Sequence, residues 1–110
     1  MKSNVKIDAG VCGFTTRATA ESNDDRHVTF IVKTDCAKIG QLGRLLQEGG
    51  PFDAYQEIDP RGESHLMQTA RSTLTGCCAG CVVPVGLFKA MQVAAGLALP
   101  KDIAVRLLKE

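Results

Sequence analysis

The sequence has 110 residues, the usual size of one small domain, and 45% of them are hydrophobic, which is ordinary for a globular protein. Its 13 basic and 12 acidic residues give a formal net charge of +1 without a Lys/Arg cluster, which argues against a nucleic-acid partner. The N-terminus lacks the apolar segment of a secretory signal, and the longest nearly uncharged run, residues 74–88, is too short and too rich in Gly and Pro to cross a bilayer. We therefore expect a single domain over residues 1–110 that is cytoplasmic and has no membrane partner.

The first third of the chain predicts three antiparallel strands. In the first, Val5 and Ile7 alternate with Lys6 and Asp8, a period of two that is typical of a half-buried strand. A second alternating run follows, and the polar residues 22–26 form a turn that leads into a third run. Such short links join neighbouring strands of an antiparallel meander, because parallel pairing needs a long crossover.

Beyond the third strand the apolar residues recur at the spacing of a helix. Thr34 or Asp35 can cap its start, Cys36 falls in its first turn, and Gly49 and Gly50 mark its end. Its predicted apolar face consists of Ile39, Leu42, Leu45 and Leu46.

Three further segments are predicted to be helical. Residues 51–58 form a short helix opened by a proline, residues 64–74 form a longer one, and Pro84 begins the last. The apolar residues of the two longer helices are Leu66, Met67, Ala70 and Leu74 in one, and Val85, Phe88, Met91 and Ala95 in the other. Pro100 ends the last helix, and the alternation in residues 103–107 favours a short C-terminal strand over a terminal helix. The predicted fold is α+β: a three-stranded antiparallel β-meander followed by three to four helices packed on one face.

Five cysteines are many for a chain of this length. Their odd number and the absence of a secretory signal favour reduced thiols, which in the cytosol cluster mainly for metal or redox chemistry. Cys12 ends the first strand, Cys36 lies where the third strand becomes a helix, and Cys81 precedes the last helix. The helix N-termini stabilise thiolates at the latter two positions, and an up-down-up meander directs Cys12 and Cys36 to one edge of the sheet.

The spacing of the thiols leaves three interpretations open. Two local and two distant cysteines can supply four thiolates to a zinc ion or an iron-sulfur cluster. Cys78 and Cys81 form a C-x2-C pair that can act as a redox unit with Cys77 as resolving thiol, although the other features of a thioredoxin-type unit are absent from the sequence. Free cysteines also pack as small apolar residues. His27 and His65 are expected to be solvated or capping residues, and the carboxylates in the predicted turns to be solvated.

Four stretches together resemble an uncharacterised family of small soluble proteins found largely in anaerobic bacteria and archaea. They are VCGFTT, the DC that ends at Cys36, CCAGCVVPVGLFKA and VAAGLALPKDI, of which the last is the most specific. The resemblance implies that the shared thiols are Cys12, Cys36, Cys77 and Cys81, and that Cys78 is an extra one.

A remoter resemblance connects the chain with the iron-sulfur scaffold family of the NifU N-terminal and IscU type. It is carried by a Cys-Gly beside the strand meander, a cysteine where the third strand meets a helix, the segment PFDAYQEI, and a cysteine shortly before the LFKAMQVA helix. That family assembles a cluster on three cysteines and passes it to apoproteins, so the resemblance implies that Cys12, Cys36 and Cys81 match the scaffold cysteines. Phe14 and Gly80 stand where the scaffold has an aspartate and a histidine. The lost aspartate and the additional thiol imply a more tightly held site.

The sequence thus predicts a non-catalytic metal or iron-sulfur cluster binding protein with Cys12, Cys36, Cys77 and Cys81 as thiolate ligands of a cluster or, alternatively, of zinc. Its partner would be a protein that donates or receives the cluster. The alternatives are a thiol redox protein that uses Cys77, Cys78 and Cys81, and a structural or interaction domain with buried free cysteines.

Overall fold

The computed structural model describes residues 1–59 and 61–110. The strands are β1 (Lys2–Asp8), β2 (Thr15–Glu21), β3 (His27–Thr34) and β4 (Phe52–Asp53). The α-helices are α1 (Ala37–Gly49), α2 (Ala54–Glu57), α3 (His65–Thr73) and α4 (Val83–Ala94), and a 3₁₀ helix spans Gly76–Gly80. The strands form one antiparallel sheet in the order β1-β2-β3-β4. The predicted α+β class and the three-stranded meander are confirmed, and β4 adds a fourth strand to the sheet.

One face of the sheet is buried and the other is open to solvent, as the alternation of apolar and polar residues predicted. The buried side chains of β1 to β3 are Ile7, Thr16, Ala18, Ala20, Val28 and Phe30. The turn between β2 and β3 is held by Asp24, whose Oδ1 accepts hydrogen bonds from the amides of Arg26 and His27 at 3.0 and 2.8 Å. A carboxylate that binds the backbone two and three residues ahead is a common way to close such a turn.

Helices cover the buried face of the sheet. The helix α1 packs on β3, and α4 packs on β1 and β2. Three of the four predicted apolar residues of α1 are buried, whereas Leu45 is 38% exposed. At Gly43 the backbone of α1 lies directly on the sheet, since a Cβ there would lie only 2.8 Å from the Cβ of Val32. In α3, as predicted, Leu66 and Ala70 face the core.

The predicted core face of α4 is only partly correct. Met91 and Ala95 are buried, but Val85 is 43% exposed and Phe88 is half-buried. The buried residues of this helix are Val83, Pro84, Gly86, Leu87, Ala90, Met91 and Ala94. Because α4 is apolar on nearly every side, the spacing of its apolar residues does not specify which side packs against the sheet.

The segment predicted as a short helix, residues 51–58, divides into a strand and a helix. Phe52 and Asp53 pair with the start of β3. The helix α2 begins only after Asp53, because Oδ1 of this residue accepts hydrogen bonds from the amides of Tyr55 and Gln56 at 3.0 and 3.3 Å. Asp53 is thus the N-cap residue of α2, a position that aspartate favours.

The predicted C-terminal strand is wrong. Residues 101–110 are exposed and form neither a strand nor a helix. Ile103, Val105 and Leu107, which were expected to face inward, are 53, 72 and 93% exposed. A period of two produces a strand only where the edge of a sheet accepts the backbone hydrogen bonds. No strand in residues 1–59 or 61–110 pairs with this segment.

The stretch Gly76–Ala94 has 19 residues and contains an 18-residue window with a mean hydropathy of 1.6, which by length and composition alone would suffice to cross a membrane. It contains the 3₁₀ helix, residues 81–82 and α4, and the buried side of α4 belongs to the hydrophobic core. The radius of gyration is 13.5 Å, close to the value of about 13 Å expected for a compact chain of this size. Burial of one side of α4 in the core accounts for part of this apolar stretch, since 39% of its 18-residue window is buried.

Candidate thiol site

The register of the sheet places Cys12 and Cys36 beyond the same end of the sheet. Ile7, Thr16 and Thr34 lie in one row across β1, β2 and β3. The strands β1 and β3 therefore run in the same direction and leave the sheet at the same end, as the meander predicted. Cys12 follows in the loop after β1, and Cys36 lies between β3 and α1.

The other three thiols reach the same end through α4. A Cβ on Gly86 would lie 2.5 Å from Cδ1 of Ile7, so the first turns of α4 cross the end of β1. Cys81 lies just ahead of this helix, and Cys77 and Cys78 lie in the 3₁₀ helix before it. We call this part of the molecule the cysteine end; it contains Cys12, Cys36, Cys77, Cys78 and Cys81.

A direct contact connects α1 with the 3₁₀ segment. Nζ of Lys38, in the first turn of α1, donates a hydrogen bond to the carbonyl oxygen of Thr75 at 3.3 Å. Cys36 is itself the N-cap residue of α1, so the helix begins one or two residues later than predicted, and the Cys36 amide donates to Oγ1 of Thr34 at 3.1 Å. Neither Thr34 nor Asp35 caps the helix, and in the described structure no amide of α1 donates to the Cys36 sulfur. The Cys36 sulfur therefore does not cap the helix that it precedes.

The five thiols differ in their exposure. Cys36, Cys78 and Cys81 are half-buried and pack against the hydrophobic core, whereas Cys12 and Cys77 are exposed. All five are free thiols. Three sulfur atoms are thus held by packing and two stand on the surface.

A tight loop presents Cys12. The amide of Ala9 donates to the carbonyl of Phe14 at 3.1 Å, and the amide of Gly13 donates to the carbonyl of Gly10 at 2.9 Å. Gly13 has a φ of 78°, in the left-handed region that glycine enters without steric cost. The glycine that follows Cys12 is therefore required by the turn, and the turn exposes the thiol.

Cys78 lies near the Lys38 ammonium and near the thiols of Cys77 and Cys36. Partial burial raises the pKa of the Cys78 thiol; the Lys38 ammonium opposes this shift, while the nearby thiols of Cys77 and Cys36 reinforce it. Cys78 is therefore protonated near neutral pH. The sequence assigned it the role of an extra thiol, yet the structure places it near two others. Cys77 is its neighbour in the chain, whereas nothing in the sequence signalled its nearness to Cys36.

The thiols gather at one end without surrounding a common centre. Among the residues that the structure describes, no three His, Cys, Asp or Glu side chains lie close enough together to hold a metal ion. The chemistry of the donors suits a soft metal or a cluster, because thiolates are the ligands that these prefer. The ligand set Cys12, Cys36, Cys77 and Cys81 therefore stays a prediction.

Both histidines take part in local structural contacts. Nδ1 of His27 lies 2.7 Å from Oδ2 of Asp24, at the opposite end of β3 from Cys36. His65 is the first residue of α3, and its amide donates to Oε2 of Glu57 at 2.8 Å.

Residues 3–107 match a family described as a family of unknown function, DUF6951. The match includes all five cysteines. No curated protein and no solved structure matches the chain significantly, and neither comparison supports the resemblance to the NifU and IscU scaffolds. Because the match spans nearly the whole chain, the chain belongs to the DUF6951 family, whose function is unknown.

Proposed function

We propose that the protein is a non-catalytic metal or iron-sulfur cluster binding protein of the cytoplasm, with Cys12, Cys36, Cys77 and Cys81 as thiolate ligands. The observation that carries the proposal is the meeting of all five cysteines, which come from three separate parts of the chain, at one end of the domain. Cysteines that act only as small apolar residues are typically among the most buried of a protein. Here none is fully buried and two are exposed.

The division of the thiols into held and exposed ones suits a site that closes around its metal. Cys36 and Cys81 pack against the core beside the N-termini of α1 and α4, neither of which has a side-chain cap. The amides and the positive dipole ends of these helices favour negatively charged thiolates. Cys12 and Cys77 stand on exposed segments, and the proposal requires that they move toward the held thiols when the metal binds. Such binding would order this end of the domain.

An iron-sulfur cluster is the occupant that we favour, and zinc is the alternative, since four thiolates bind a [2Fe-2S] cluster, a [4Fe-4S] cluster or a zinc ion. The resemblance to the scaffold family points to a cluster that is carried as cargo. The partner would then be a protein that donates the cluster or receives it. A zinc ion bound by the same thiols would have a structural role.

The test is anaerobic purification of wild type, Cys36→Ser and Cys78→Ser, followed by an ultraviolet-visible spectrum and by iron, sulfide and zinc analysis. We expect charge-transfer bands and iron in wild type and in Cys78→Ser, and their loss in Cys36→Ser. Cys78→Ser is the matched control, because it removes a half-buried thiol of the same region that is not among the proposed ligands.

About one zinc per chain in wild type, lost in Cys36→Ser, would establish the structural site instead. The proposal fails if wild type holds neither iron nor zinc when purified anaerobically and takes up neither after incubation with iron and sulfide or with zinc. It also fails if Cys36→Ser binds as much metal as wild type.

A thiol redox protein is the second candidate, and the observation that favours it is the position of Cys77 and Cys78 as adjacent residues of the 3₁₀ helix, with Cys81 directly after it. The raised pKa of Cys78 opposes it, because the thiolate is the reactive form. The two candidates differ in what they expect of Cys12→Ser. A redox unit of Cys77, Cys78 and Cys81 would still form its disulfide in that variant, as mass spectrometry after differential alkylation would show, whereas metal binding would be lost. A purely structural or interaction domain would hold no metal, and Cys12→Ser or Cys36→Ser would lower its stability only modestly.

A further inference from the structure

The open face of the sheet carries three cations in one row. The register pairs Lys6 with Arg17 and Arg17 with Lys33, so these side chains are direct neighbours on three adjacent strands. All three are exposed and lie opposite the helices. Neighbouring residues of an antiparallel pair have Cα atoms about 4.5–5.5 Å apart, so the row is about 10 Å long. We call it the cationic row.

The three cations of the row form no ion pair among the described residues. The ion pairs of the described residues are Lys2–Glu21, Arg26–Asp53, His27–Asp24 and Arg61–Asp59. None of them includes Lys6, Arg17 or Lys33. Like charges directly opposite each other destabilise a sheet, so the arrangement is unfavourable for the isolated domain. A negatively charged partner would relieve the repulsion.

The surroundings of the row provide hydrogen-bonding groups and an apolar contact. The next row on the same face consists of Asn4, Thr19 and Ile31. Thr19 Oγ1 donates to Asn4 Oδ1 at 2.8 Å, and Ile31 is 57% exposed. Two shallow depressions of about 340 and 390 Å³ lie on this face, and the three cations line both of them.

The shape and the charge of the surface together indicate a short acidic protein segment. Small-molecule sites are concave and bury most of their ligand, whereas this surface is the open face of a sheet. A continuous nucleic-acid backbone is disfavoured by the carboxylates around the row: Glu21 lies on one side, and Asp8 and Asp35 lie on the other. Two or three carboxylates beside one apolar residue would match the three cations and Ile31.

We propose that the cationic row and Ile31 form the docking surface for an acidic segment of a partner protein. The row Lys6–Arg17–Lys33 lies one residue before the row Ile7–Thr16–Thr34, beyond which the cysteine end begins. An acidic segment bound to the cationic row would place the partner protein next to the cysteine end. The docking does not depend on the proposed metal binding, since the surface is complete without it.

The test is a titration of ¹⁵N-labelled protein with the acetylated and amidated peptide Glu-Glu-Ile-Glu-Glu, followed by nuclear magnetic resonance, with the glutamine counterpart as control peptide. We expect shift changes on the open faces of β1, β2 and β3 with the acidic peptide only. Arg17→Glu should weaken binding by about tenfold or more, and Arg17→Gln by less. Lys101→Glu, which changes the net charge equally at an exposed site outside the sheet, should weaken it less than about twofold.

The proposal is overturned if the acidic peptide causes no shift changes up to millimolar concentration, or if the glutamine peptide binds equally well. Equal losses in Arg17→Glu and Lys101→Glu would overturn it as well, because binding would then follow the net charge alone. Tighter binding of a twelve-residue oligo(dT) to the same face would replace the protein partner with a nucleic acid. Metal content measured on Arg17→Glu should equal that of wild type, which separates a failure here from a failure of the metal proposal.

Discussion

At the scale of single residues, Glu57 is the carboxylate on which a helix depends. It is 6% exposed, and it accepts hydrogen bonds from Ser64 Oγ at 2.9 Å and from the amides of His65 and Leu66 at 2.8 Å each. These amides belong to the first turn of α3, where a helix leaves donors without partners and favours a negative charge. Glu57 therefore caps α3 from outside the helix.

Replacing this carboxylate by an amide tests that role. Glu57→Gln removes the charge and turns one acceptor into a donor that faces a donor, so we expect a loss of about 1–3 kcal/mol in the free energy of unfolding. Urea denaturation measures it. Glu48→Gln, at an exposed position of α1, is the control and should change stability by less than about 0.5 kcal/mol. Equal effects of the two substitutions would contradict the capping role.

Asp24 makes the stability of the sheet depend on pH. The His27 side chain at 2.7 Å, followed by the amides of His27 and Arg26, holds the pKa of the Asp24 carboxyl well below its usual range. Because its pKa is lowered in the folded state, its stabilising contribution is complete above the unfolded pKa of about 4 and is lost as the pH falls below it. Asp24→Asn should therefore cost stability at pH 7 and progressively less below about pH 4.

Urea denaturation of wild type and Asp24→Asn between pH 7 and pH 2 measures this difference. Asp25→Asn is the control, because it leaves the hydrogen bonds of Asp24 in place. A difference between wild type and Asp24→Asn that stays constant down to pH 2 would show that the carboxylate charge has no part in it.

At the scale of elements, the contact between α1 and β3 depends on the absence of a side chain at one position. A Cβ at Gly43 would lie 2.8 Å from Cβ of Val32, an atom fixed to the strand backbone, whereas one at Gly40 would meet only side-chain atoms at 3.8 Å or more. We expect Gly43→Ala to destabilise the protein by about 1–3 kcal/mol through overpacking, despite its better helix propensity. Gly40→Ala in the same helix should stabilise it by up to about 1 kcal/mol. Thermal and urea unfolding of the two variants measure these opposite changes in stability. If Gly43→Ala proved more stable than wild type, α1 would have to be able to move away from β3.

The elements that could be predicted from the sequence are those with one buried and one open side. The strands of the meander and the helices α1 and α3 have this character, so their spacing of apolar residues was sufficient. The core face of α4 was not predictable, because nearly every side of that helix is apolar. The strand at Phe52–Asp53 is too short to show a period. The alternation in residues 103–107 is typical of a strand, but no described strand pairs with this segment.

At the scale of the whole molecule, the sequence predicted where the thiols meet but not how they are arranged. The direction of the strands was sufficient to bring Cys12 and Cys36 to one end. The nearness of Cys78 to Cys36 depends on the 3₁₀ helix, which the spacing of residues 76–80 does not predict. The cationic row depends on the register of three strands, which no single stretch of sequence contains.

The exposed C-terminal segment leads to a prediction about the whole molecule. Residues 101–110 are all exposed and contribute no strand, no helix and no core residue. Even the leucines of this segment lie in solvent, since Leu107 is 93% exposed and Leu108 is 91% exposed. Stability arises from apolar surface that folding removes from water, so removal of residues 101–110 should lower the melting temperature by less than about 2 °C. Removal of residues 1–8 should instead unfold the domain, because it takes away β1 and the buried Ile7. A melting temperature that depends on protein concentration in the full chain but not in the truncated one would contradict this expectation, and would mean that the leucines are covered by a second copy of the chain.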